Sequence, residues 1–350
     1  MPDAMEQKMI DDQEPMTADR FALSICIPTF NKAFVLQKTL ESIVREKSFG
    51  EGKVEVVVSD NVSTDETPEM LRMYSEKYPG RFRFYRQPAP IDPHFNFEYA
   101  LNMGTGTFLK LLGYKSPFCP GSLDRLVRAV EQYAELGSFF VTDWQPSRKE
   151  EYDLITSVEE LVKIVSYPIT SINLFCIRRD VFHSLDEPFR AWKINFPHVD
   201  IVYRLLDRGE KVLRLNRIQM LYEVLPYHSD RNEARIFGQN YVSLLHDQYT
   251  EGHLSRRTYQ REKCRTLYRH IIPVHFDFFH QYRIDKKPLP FRQPMMKYYR
   301  YDWFFYLAFP WIAFYWFTSN VIPIHQMLGK IKRFLLKKKS PAVPAGDPGQ

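Results

Sequence analysis

The feature that most constrains the fold is a regular alternation of strand-like and helix-like segments between residues 23 and 142. Short runs of β-branched residues, such as residues 54–58, are followed by polar turn residues and then by apolar residues at helical spacing. Such alternation indicates a largely parallel sheet whose right-handed crossovers place helices on both faces. The sequence therefore predicts an α/β/α sandwich with a mostly parallel central sheet.

The same patterns predict the individual elements. We expect strands at residues 23–27, 54–58, 81–86, 107–112, 138–142 and 171–179, and two later short strands at 211–215 and 218–224. We expect helices at residues 33–46, 66–78, 95–103, 121–130, 197–206, 236–249 and 254–282.

Composition excludes several classes of protein. The chain has 350 residues, of which 44% are hydrophobic and 26% charged, so a sizeable globular core is expected. The net charge of +6 is concentrated near the C-terminus, so nothing favours a nucleic-acid partner. The four cysteines lie far apart with no C-x-x-C pair, which indicates neither a zinc site nor a disulfide framework. A reducing cytoplasm fits this pattern best.

Changes in composition divide the chain into five segments. Residues 1–20 are polar and aperiodic, so we expect a disordered tail without a secretory signal. An α/β domain is predicted for residues 21–225 and a helical extension for residues 226–300. Residues 301–339 are aromatic and then basic, and residues 340–350 are predicted to be a second disordered tail.

The aromatic segment suggests contact with a membrane. Residues 303–329 contain no formal charge with histidine neutral, and six basic residues follow within residues 330–339. The length permits a span, since about 20 apolar residues suffice. Pro310, Pro323 and the excess of aromatic side chains favour a helix lying in the interface, where each basic residue adds ~1 kcal/mol against anionic lipid. A buried aromatic helix with a basic tail is the alternative.

Polar side chains follow the second predicted strand. Ser59, Asp60 and Asn61 come directly after a run of valines, and ligands of open α/β sheets bind at the carboxyl ends of strands. Asp60 is placed to accept hydrogen bonds from a nucleobase or a ribose, although a plain turn between strand and helix would use the same residues.

Three segments together resemble family 2 glycosyltransferases. They are SICIPTFNKAFVLQKTLESI at residues 24–43, VEVVVSDNVSTDET at 54–67 and NFEYALNMGTGTFLKLLG at 96–113. They follow the family's order and spacing, closely over residues 22–145 and loosely to residue 215. The resemblance implies a GT-A fold, a Rossmann-like α/β/α domain that binds a nucleotide-diphosphate sugar. The Leu-Leu-Gly variant resembles bacterial enzymes of capsule, exopolysaccharide or O-antigen assembly.

The resemblance also implies which residues bind the donor. The family's first loop packs beside the nucleotide, its second carries the aspartate that binds base or ribose, and later positions lead into the metal-binding strand. The residues that match these positions are Pro28, Thr29, Asn31, Asp60, Asn61, Ser63, Asn96, Gly113 and Tyr114.

One departure from the family concerns its metal site. The family's fourth strand ends in an Asp-x-Asp element whose carboxylates hold Mg²⁺ or Mn²⁺ on the diphosphate. Here Tyr114, Lys115, Ser116 and Pro117 follow Leu-Leu-Gly, and no acid occurs before Asp124. The sequence therefore predicts no metal site of the family's kind.

Three interpretations of this departure are open. In the first, Lys115 replaces the metal and neutralises the diphosphate, with hydrogen bonds from Tyr114 and Ser116. In the second, the protein has lost catalysis and serves as a scaffold that binds a glycan or a partner transferase. In the third, a relocated carboxylate such as Asp143 or Asp92 binds Mg²⁺ or Mn²⁺.

An inverting transferase also needs a general base beside the acceptor hydroxyl. The family supplies it from the start of a late helix, which favours Asp200 here, with Asp143 as the second candidate. A capping role for Asp200 is the alternative. His198, Trp192 and Arg231 are the candidate acceptor-binding residues, since tryptophan can stack on sugar faces.

The resemblance, taken together with these residues, implies an inverting transferase of cell-surface polysaccharide biosynthesis. It would move a sugar from a nucleotide-diphosphate donor to a glycan acceptor, which the C-terminal segment suggests is lipid-linked. We expect it in the cytoplasm, peripheral on the inner face of the cell membrane. The fold does not determine the sugar, base, acceptor or linkage, because these depend on the site.

Overall fold

The computed structural model describes residues 21–142, 151–216, 218, 220–221, 232–274, 291–310 and 312. The predictions for both tails, for Asp143 and Arg231 and for most of residues 301–339 lie outside these residues. The chain divides into two compact units, Met1–Ser229 with Asn240–Glu262, and Asp230–Gln239 with Lys263–Gln350.

The first unit is built on a sheet to which the described residues contribute eight strands. They are β1 (Leu23–Thr29), β2 (Val54–Asp60), β3 (Phe82–Arg86), β4 (Phe108–Leu111), β5 (Phe139–Thr142), β6 (Tyr152–Ile155), β7 (Phe175–Arg178) and β8 (Val212–Leu215). Their order is β3-β2-β1-β4-β7-β5-β8-β6. Strands β1 to β4 are mutually parallel, as are β5 and β8, whereas β6 and β7 run antiparallel to their neighbours. The predicted mostly parallel sheet is confirmed.

Helices connect these strands and continue beyond them. They are α1 (Ala33–Val44), α2 (Lys47–Gly50), α3 (Thr67–Lys77), α4 (Pro93–Asn102), α5 (Ser122–Gln132), α6 (Val158–Ile164), α7 (Arg179–His183), α8 (Pro197–Asp207), α9 (Val242–Thr250), α10 (Arg256–Thr266) and α11 (Arg292–Tyr299). Two π-helical segments, Ala234–Tyr241 and Leu267–Ile271, precede α9 and follow α10.

Successive side chains of a strand lie on opposite faces of the sheet, so they pack against two different layers of helices. Leu23, Ile25 and Val56 belong to the cluster that also contains Leu40 of α1 and Leu126 of α5. Residues of the opposite parity meet α4, as the hydrogen bond from the Ser59 hydroxyl to Asn96 shows. Helices therefore cover both faces of the sheet, as the α/β/α prediction requires.

A buried carboxylate joins the amino ends of the four parallel strands. Glu55 of β2 accepts hydrogen bonds from Ser24 of β1 at 2.6 Å, from Arg83 of β3 at 2.9 Å and from the Thr105 amide before β4 at 2.6 Å. Ser24 in turn accepts from the Gly106 amide at 2.7 Å. A Cβ on Gly106 would lie 2.9 Å from the Ser24 amide nitrogen, so the turn into β4 requires glycine there.

The later part of the first unit departs from the sequence prediction. The predicted strand at 171–179 is only Phe175–Arg178, because Ile172–Leu174 forms a 3₁₀ turn. Strand β6 and helix α6 were not predicted, since both are short and the apolar pattern weakens after residue 150. Within the predicted strand 218–224, Met220 forms an isolated bridge with Phe118.

Residues 240–262 belong to the first unit, which differs from the predicted start of an extension at residue 226. Asn240 donates to Asn195 at 2.8 Å. Glu262 is buried and accepts from the Ser166 hydroxyl at 2.7 Å and from the Tyr241 hydroxyl at 3.2 Å. These contacts between distant parts of the sequence are invisible to hydrophobic periodicity.

The described residues of the second unit are mainly helical and include α11 and residues 303–310. Within it, the Lys263 ammonium lies 2.5 Å from the Asp302 carboxylate, and both side chains are buried. No helix among the residues that the structure describes is both long and apolar enough to cross a membrane.

A lysine lies at the centre of the sheet, where the sequence pattern suggested an apolar strand. Lys110 of β4 is fully buried, and its ammonium donates to the carbonyls of Asn173, Phe175 at 3.3 Å and Leu111 at 3.4 Å. Burial lowers the pKa of Lys110 to about 8, although the nearby Cys176 opposes this shift. By donating to the backbone carbonyls of Asn173 and Phe175, Lys110 holds the 3₁₀ turn that precedes β7.

We expect the lowered pKa of Lys110 to make the free energy of unfolding depend on pH. The pKa falls from 10.5 to about 8 on folding, so the unfolded chain binds more protons between these values and stability rises with pH there. Over that window the native protein should gain about 3 kcal/mol relative to Lys110→Met. Urea unfolding of both proteins between pH 7.5 and 10.5 measures this difference.

The matched control for this experiment is Lys211→Met, because Lys211 is exposed just before β8. It should follow the native protein at every pH. A Lys110→Met variant whose stability also parallels the native curve would show that Lys110 has an ordinary pKa.

Candidate functional site

The strand order reverses between β1 and β4, and in open α/β sheets a crevice forms at the carboxyl ends of two such strands. The chain passes from β1 to β2 on one side and later returns to β4 on the other side of β1. Ligands of open α/β sheets bind at such a switch point. The loops that follow β1, β2 and β4 are the ones that the sequence predicts to bind the donor.

Side-chain hydrogen bonds hold the loops after β1 and β2 together. The Asn31 amide donates to the Ser63 hydroxyl at 2.8 Å, and the Thr64 amide donates to the Asn31 side chain at 2.7 Å. The Asp65 carboxylate accepts from the Ala33 amide at 3.1 Å. Although partial burial raises it, hydrogen bonds from Thr67 and Ala33 together lower the pKa of Asp65. The two loops therefore form one preorganised surface.

Asp60, at the end of β2, is fully buried. Its carboxylate accepts from the Ser63 amide at 3.2 Å and also from the Ser63 hydroxyl. A direct contact with a nucleoside would need Ser63 to leave this position. In the present arrangement Asp60 shapes the loop, and its predicted contact with base or ribose stays a prediction.

Arg86 is a further charged group here that the sequence analysis did not single out. It ends β3, its guanidinium lies 3.9 Å from the Asp60 carboxylate, and it donates to the Ser63 carbonyl at 2.9 Å. Its side chain is 44% exposed, so this positive charge is accessible beside the loop. The only sequence signal was its position at the end of an alternating strand.

Two residues in these loops adopt left-handed backbone conformations. Asn31 has a φ of 51° and Val62 a φ of 63°. Asparagine tolerates this region, whereas a β-branched residue there is strained by ~1–3 kcal/mol. The hydrogen bonds of Asn31, Asp60 and Ser63 hold that strain in place, which is typical of a ligand-binding loop.

Two predicted donor-binding asparagines are occupied by structural contacts. Asn61 pairs with the backbone of Ile91, donating at 2.8 Å and accepting at 2.9 Å. Asn96 is buried beneath the sheet edge, where it accepts from the Ser59 hydroxyl at 2.6 Å and donates to the Ser59 carbonyl at 3.1 Å. These contacts indicate that both asparagines position the end of β2. They also argue against a direct contact between Asn96 and the donor.

The loop after β4 is fixed on two sides. The Gly113 amide donates to the Asn173 side chain at 2.7 Å, and the Tyr114 carbonyl accepts from the Thr39 hydroxyl at 2.7 Å. Burial raises the pKa of Tyr114, so its hydroxyl stays a hydrogen-bond donor at neutral pH. Lys115 is half-buried and Ser116 is fully buried in the same loop. Asn173 was not predicted from the sequence, and its backbone carbonyl also accepts a hydrogen bond from the Lys110 ammonium.

The first predicted loop begins inside the sheet. Pro28 and Thr29 are the last residues of β1 and pair with Ser59 and Asp60 of β2. Thr29 is buried, and its hydroxyl has no hydrogen-bond partner. These two residues therefore lie at the carboxyl end of β1, beside the switch point.

No acid among the described residues takes the place of the missing Asp-x-Asp element. The Asp124 carboxylate, the next acid in sequence, accepts from the Ser48 amide at 2.8 Å. Asp92 caps α4 by accepting from the His94 amide at 2.9 Å. Among the described residues, the side chains that come close enough together to hold a metal ion are the exposed Asp207, Glu251 and His253. They lie at the ends of α8 and α9. The candidate Asp143 lies outside the described residues.

Asp200, the candidate base, lies between two arginines. Its carboxylate accepts from the Arg190 guanidinium with two bonds of 2.9 Å, and the Arg204 Nε lies 3.0 Å away. Arg204 also donates to the Asp186 carbonyl at 3.0 Å. Since both carboxylate oxygens are engaged, these contacts argue for a structural ion pair and against a free base. The Arg190 partner was not anticipated from the sequence.

The two candidate acceptor residues near α8 differ in accessibility. His198 is buried, and its Nε2 lies 2.9 Å from the Thr170 carbonyl oxygen, so Nε2 carries a proton. Burial lowers its pKa to about 4, against the opposing effect of that hydrogen bond, so the ring is neutral and unreachable by an acceptor. Trp192 is half-buried and its ring centroid lies 5.2 Å from that of the exposed Phe95. Trp192 therefore remains the accessible aromatic candidate, while Arg231 lies outside the described residues.

Comparison with protein families gives a match to one family. Residues 24–185 match glycosyl transferase family 2. The abequosyltransferase RfbV of Salmonella typhimurium is 28% identical over 114 residues, which are 33% of this chain and 34% of that protein. The GalNAc(5)-diNAcBac-PP-undecaprenol beta-1,3-glucosyltransferase of Campylobacter jejuni is 29% identical over 116 residues, 33% of this chain and 36% of that protein. The alignments thus span about a third of the length of these relatives.

Solved structures agree on the fold. Residues 1–349 of S. aureus TarS in complex with UDP superpose with a TM-score of 0.52 at 15% identity, covering 75% of each chain. The mannosyltransferase PcManGT from Pyrobaculum calidifontis, in complex with GDP-Man and Mn²⁺, has a TM-score of 0.52 at 14% identity, covering 95% of this chain and 86% of that one. The expected GT-A-like fold is confirmed, and residues 24–185 of this chain are similar to glycosyl transferase family 2.

Proposed function

We propose that this protein transfers a sugar from a nucleotide-diphosphate donor to a hydroxyl of a glycan, with inversion, in the assembly of a cell-surface polysaccharide. The observation that carries the proposal is the switch point between β1 and β4 in a domain similar to family 2, with the hydrogen-bonded loops after β1 and β2 and the loop after β4 beside it. The relatives named as transferases, one of them acting on an undecaprenol-linked substrate by its name, support a glycan acceptor.

The nucleoside would bind over the loops after β1 and β2. Pro28, Thr29 and Asn31 line one side, and Asn61 and Ser63 shape the other. Asp60 orients Ser63, and the exposed Arg86 supplies a positive charge beside it. This rigid, hydrogen-bonded surface supports donor binding because little ordering is needed when the nucleotide arrives.

The diphosphate would lie against the loop after β4. Negative charge builds up on the leaving diphosphate in the transition state, and fixed positive charge there lowers the barrier. Lys115 is the proposed source of that charge, with hydrogen bonds from the Tyr114 hydroxyl and backbone amides. Gly113 supports this role, because its amide is already anchored to Asn173 and so fixes the loop that carries Lys115.

The general base would be Asp143 in preference to Asp200. The engagement of Asp200 by Arg190 and Arg204 supports this order, since a base needs a lone pair directed at the acceptor hydroxyl. Asp143 directly follows β5 in the sequence, and β5 runs parallel to β8 and to β1–β4. Trp192 would stack on the acceptor sugar.

The protein would work at the inner face of the cell membrane, on a lipid-linked acceptor. The uncharged aromatic residues 303–329 and the basic residues that follow them support this location. No other component of the proposal depends on this location.

The lysine interpretation predicts turnover without metal. Donor hydrolysis or transfer, measured over a panel of nucleotide-sugars, should be unchanged by EDTA. Lys115→Ala should lower kcat by about 10²–10³-fold, because it removes a charge stabiliser of the transition state. Lys115→Asp should restore some activity that depends on Mn²⁺, since it returns an acid to the family's position.

The control for these variants is Lys211→Ala, in which an exposed lysine far from the crevice in sequence is removed. Turnover abolished by EDTA would contradict the lysine interpretation and support a relocated carboxylate. If no nucleotide diphosphate shifts the thermal midpoint, with or without Mn²⁺, the scaffold alternative is favoured; the absence of an acid between Gly113 and Asp124 is its specific support.

The assignment of the base predicts opposite effects for two variants. Asp143→Asn should lower kcat by about 10²–10⁴-fold with an unchanged thermal midpoint. Asp200→Asn should instead destabilise the fold by about 1–3 kcal/mol, because it leaves the largely buried Arg204 without its charged partner, and folded molecules should keep kcat within a few-fold. Measurements of kcat and of urea unfolding on both variants distinguish Asp143 from Asp200 as the general base. Loss of activity at full stability in Asp200→Asn would make Asp200 the base.

A further inference from the structure

The helical residues 303–310 of the second unit are apolar on both faces. The side chains of Phe304, Phe305 and Ala308 are buried. The opposite face is in solvent, although it is equally apolar, with Trp303 exposed to 74%, Tyr306 to 44% and Leu307 to 56%. Pro310 continues this face and is also exposed. We call Trp303, Tyr306, Leu307 and Pro310 the outer stripe.

Buried polar contacts fix which face points outward. Asp302 directly precedes the helix and pairs with Lys263 at 2.5 Å, and both side chains are buried. The Tyr268 hydroxyl donates to the Phe304 carbonyl at 2.8 Å. Rotating the helix to hide the outer stripe would break the ion pair and leave a buried charge without its partner. The exposure of the stripe is therefore built into this unit.

The exposed charges within residues 291–310, the segment that carries the outer stripe, have one sign. Arg292, Lys297 and Arg300 are exposed in and beside α11. The single acid between residues 291 and 310 is Asp302, which is buried against Lys263. The exposed surface of this segment therefore combines aromatic rings with positive charge and has no exposed acid.

We propose that the outer stripe inserts into the headgroup region of an anionic lipid bilayer. Tryptophan and tyrosine favour that depth, because the ring is apolar while one edge makes hydrogen bonds. The three exposed cations of this segment would add attraction to anionic headgroups, and further basic residues follow at 330–339 in the sequence. This inference rests on the location stated in the proposed function and names the side chains that make the contact.

The experiment compares the full-length protein with the double variant Trp303→Ser/Leu307→Ser. Binding is measured by sedimentation with phosphatidylcholine vesicles and with vesicles that contain 30% phosphatidylglycerol. The native protein should prefer the anionic vesicles, and the variant should bind them about tenfold more weakly or worse, since two large apolar side chains are removed from the interface. In 0.5 M salt the native protein should also bind less, because screening weakens the cationic contribution.

Met73→Ser is the matched control, because Met73 is 68% exposed on α3 in the first unit and carries no role in this proposal. It should bind anionic vesicles as the native protein does. Unchanged thermal midpoints in all three proteins show that the substitutions leave the fold intact.

Transfer to a water-soluble acceptor separates this proposal from the proposed function. Normal turnover with weakened vesicle binding in the double variant supports the lipid assignment, and the vesicle result stands even if no turnover is ever detected. Vesicle binding equal to that of the native protein overturns the assignment. A change from dimer to monomer without a change in vesicle binding also overturns it, since the stripe would then be a protein interface.

Discussion

The parallel half of the sheet depends on one buried carboxylate. Glu55 lies in β2 with almost no solvent exposure, and its oxygens bind Ser24, Arg83 and the Thr105 backbone. A buried charge is tolerated only when it is paired and hydrogen-bonded, so each of these partners is needed. Because they come from β1, β3 and the turn before β4, the same charge joins all four strands. The carboxyl ends at the opposite edge, where the loops form the crevice, are thereby held in a common frame.

The crevice itself combines two kinds of surface. After β1 and β2, loops are linked by side chains that a nucleotide site of this family would use, and Val62 carries backbone strain there. After β4, where the family places acids, a half-buried lysine and a tyrosine follow an anchored glycine. The first surface resembles the family closely and the second departs from it. The proposed function therefore depends on whether the Lys115 ammonium can neutralise the diphosphate in place of a metal ion.

Sequence periodicity predicted the first part of the fold well, and physical reasons explain where it failed. Strands such as Val54–Asp60 are long, β-branched and buried on both faces, so their pattern is unambiguous. Strand β6 was missed because its four residues include Asp153 and are largely unburied, which weakens the apolar pattern. Strand β7 was predicted too long because the 3₁₀ turn before it, Ile172–Leu174, also carries apolar residues. The sequence does not distinguish Lys110 from an ordinary strand residue, because its hydrogen-bond partners are backbone carbonyl groups, which any residue type supplies. The loops of the candidate site were located by motif, whereas the arginine partners of Asp200 needed the tertiary structure.

The contact between Ser166 and Glu262 has a consequence for folding during translation. Ser166 has a φ of 63°, a strained conformation for serine, and its hydroxyl is held by the buried Glu262. The carboxylate reaches this place from almost a hundred positions further along the chain. During synthesis, the ribosome must release residue 262 before the first unit can close around its own core. The α/β unit can therefore be completed only after residue 262 has emerged, and an incomplete unit of this kind exposes apolar surface in the meantime.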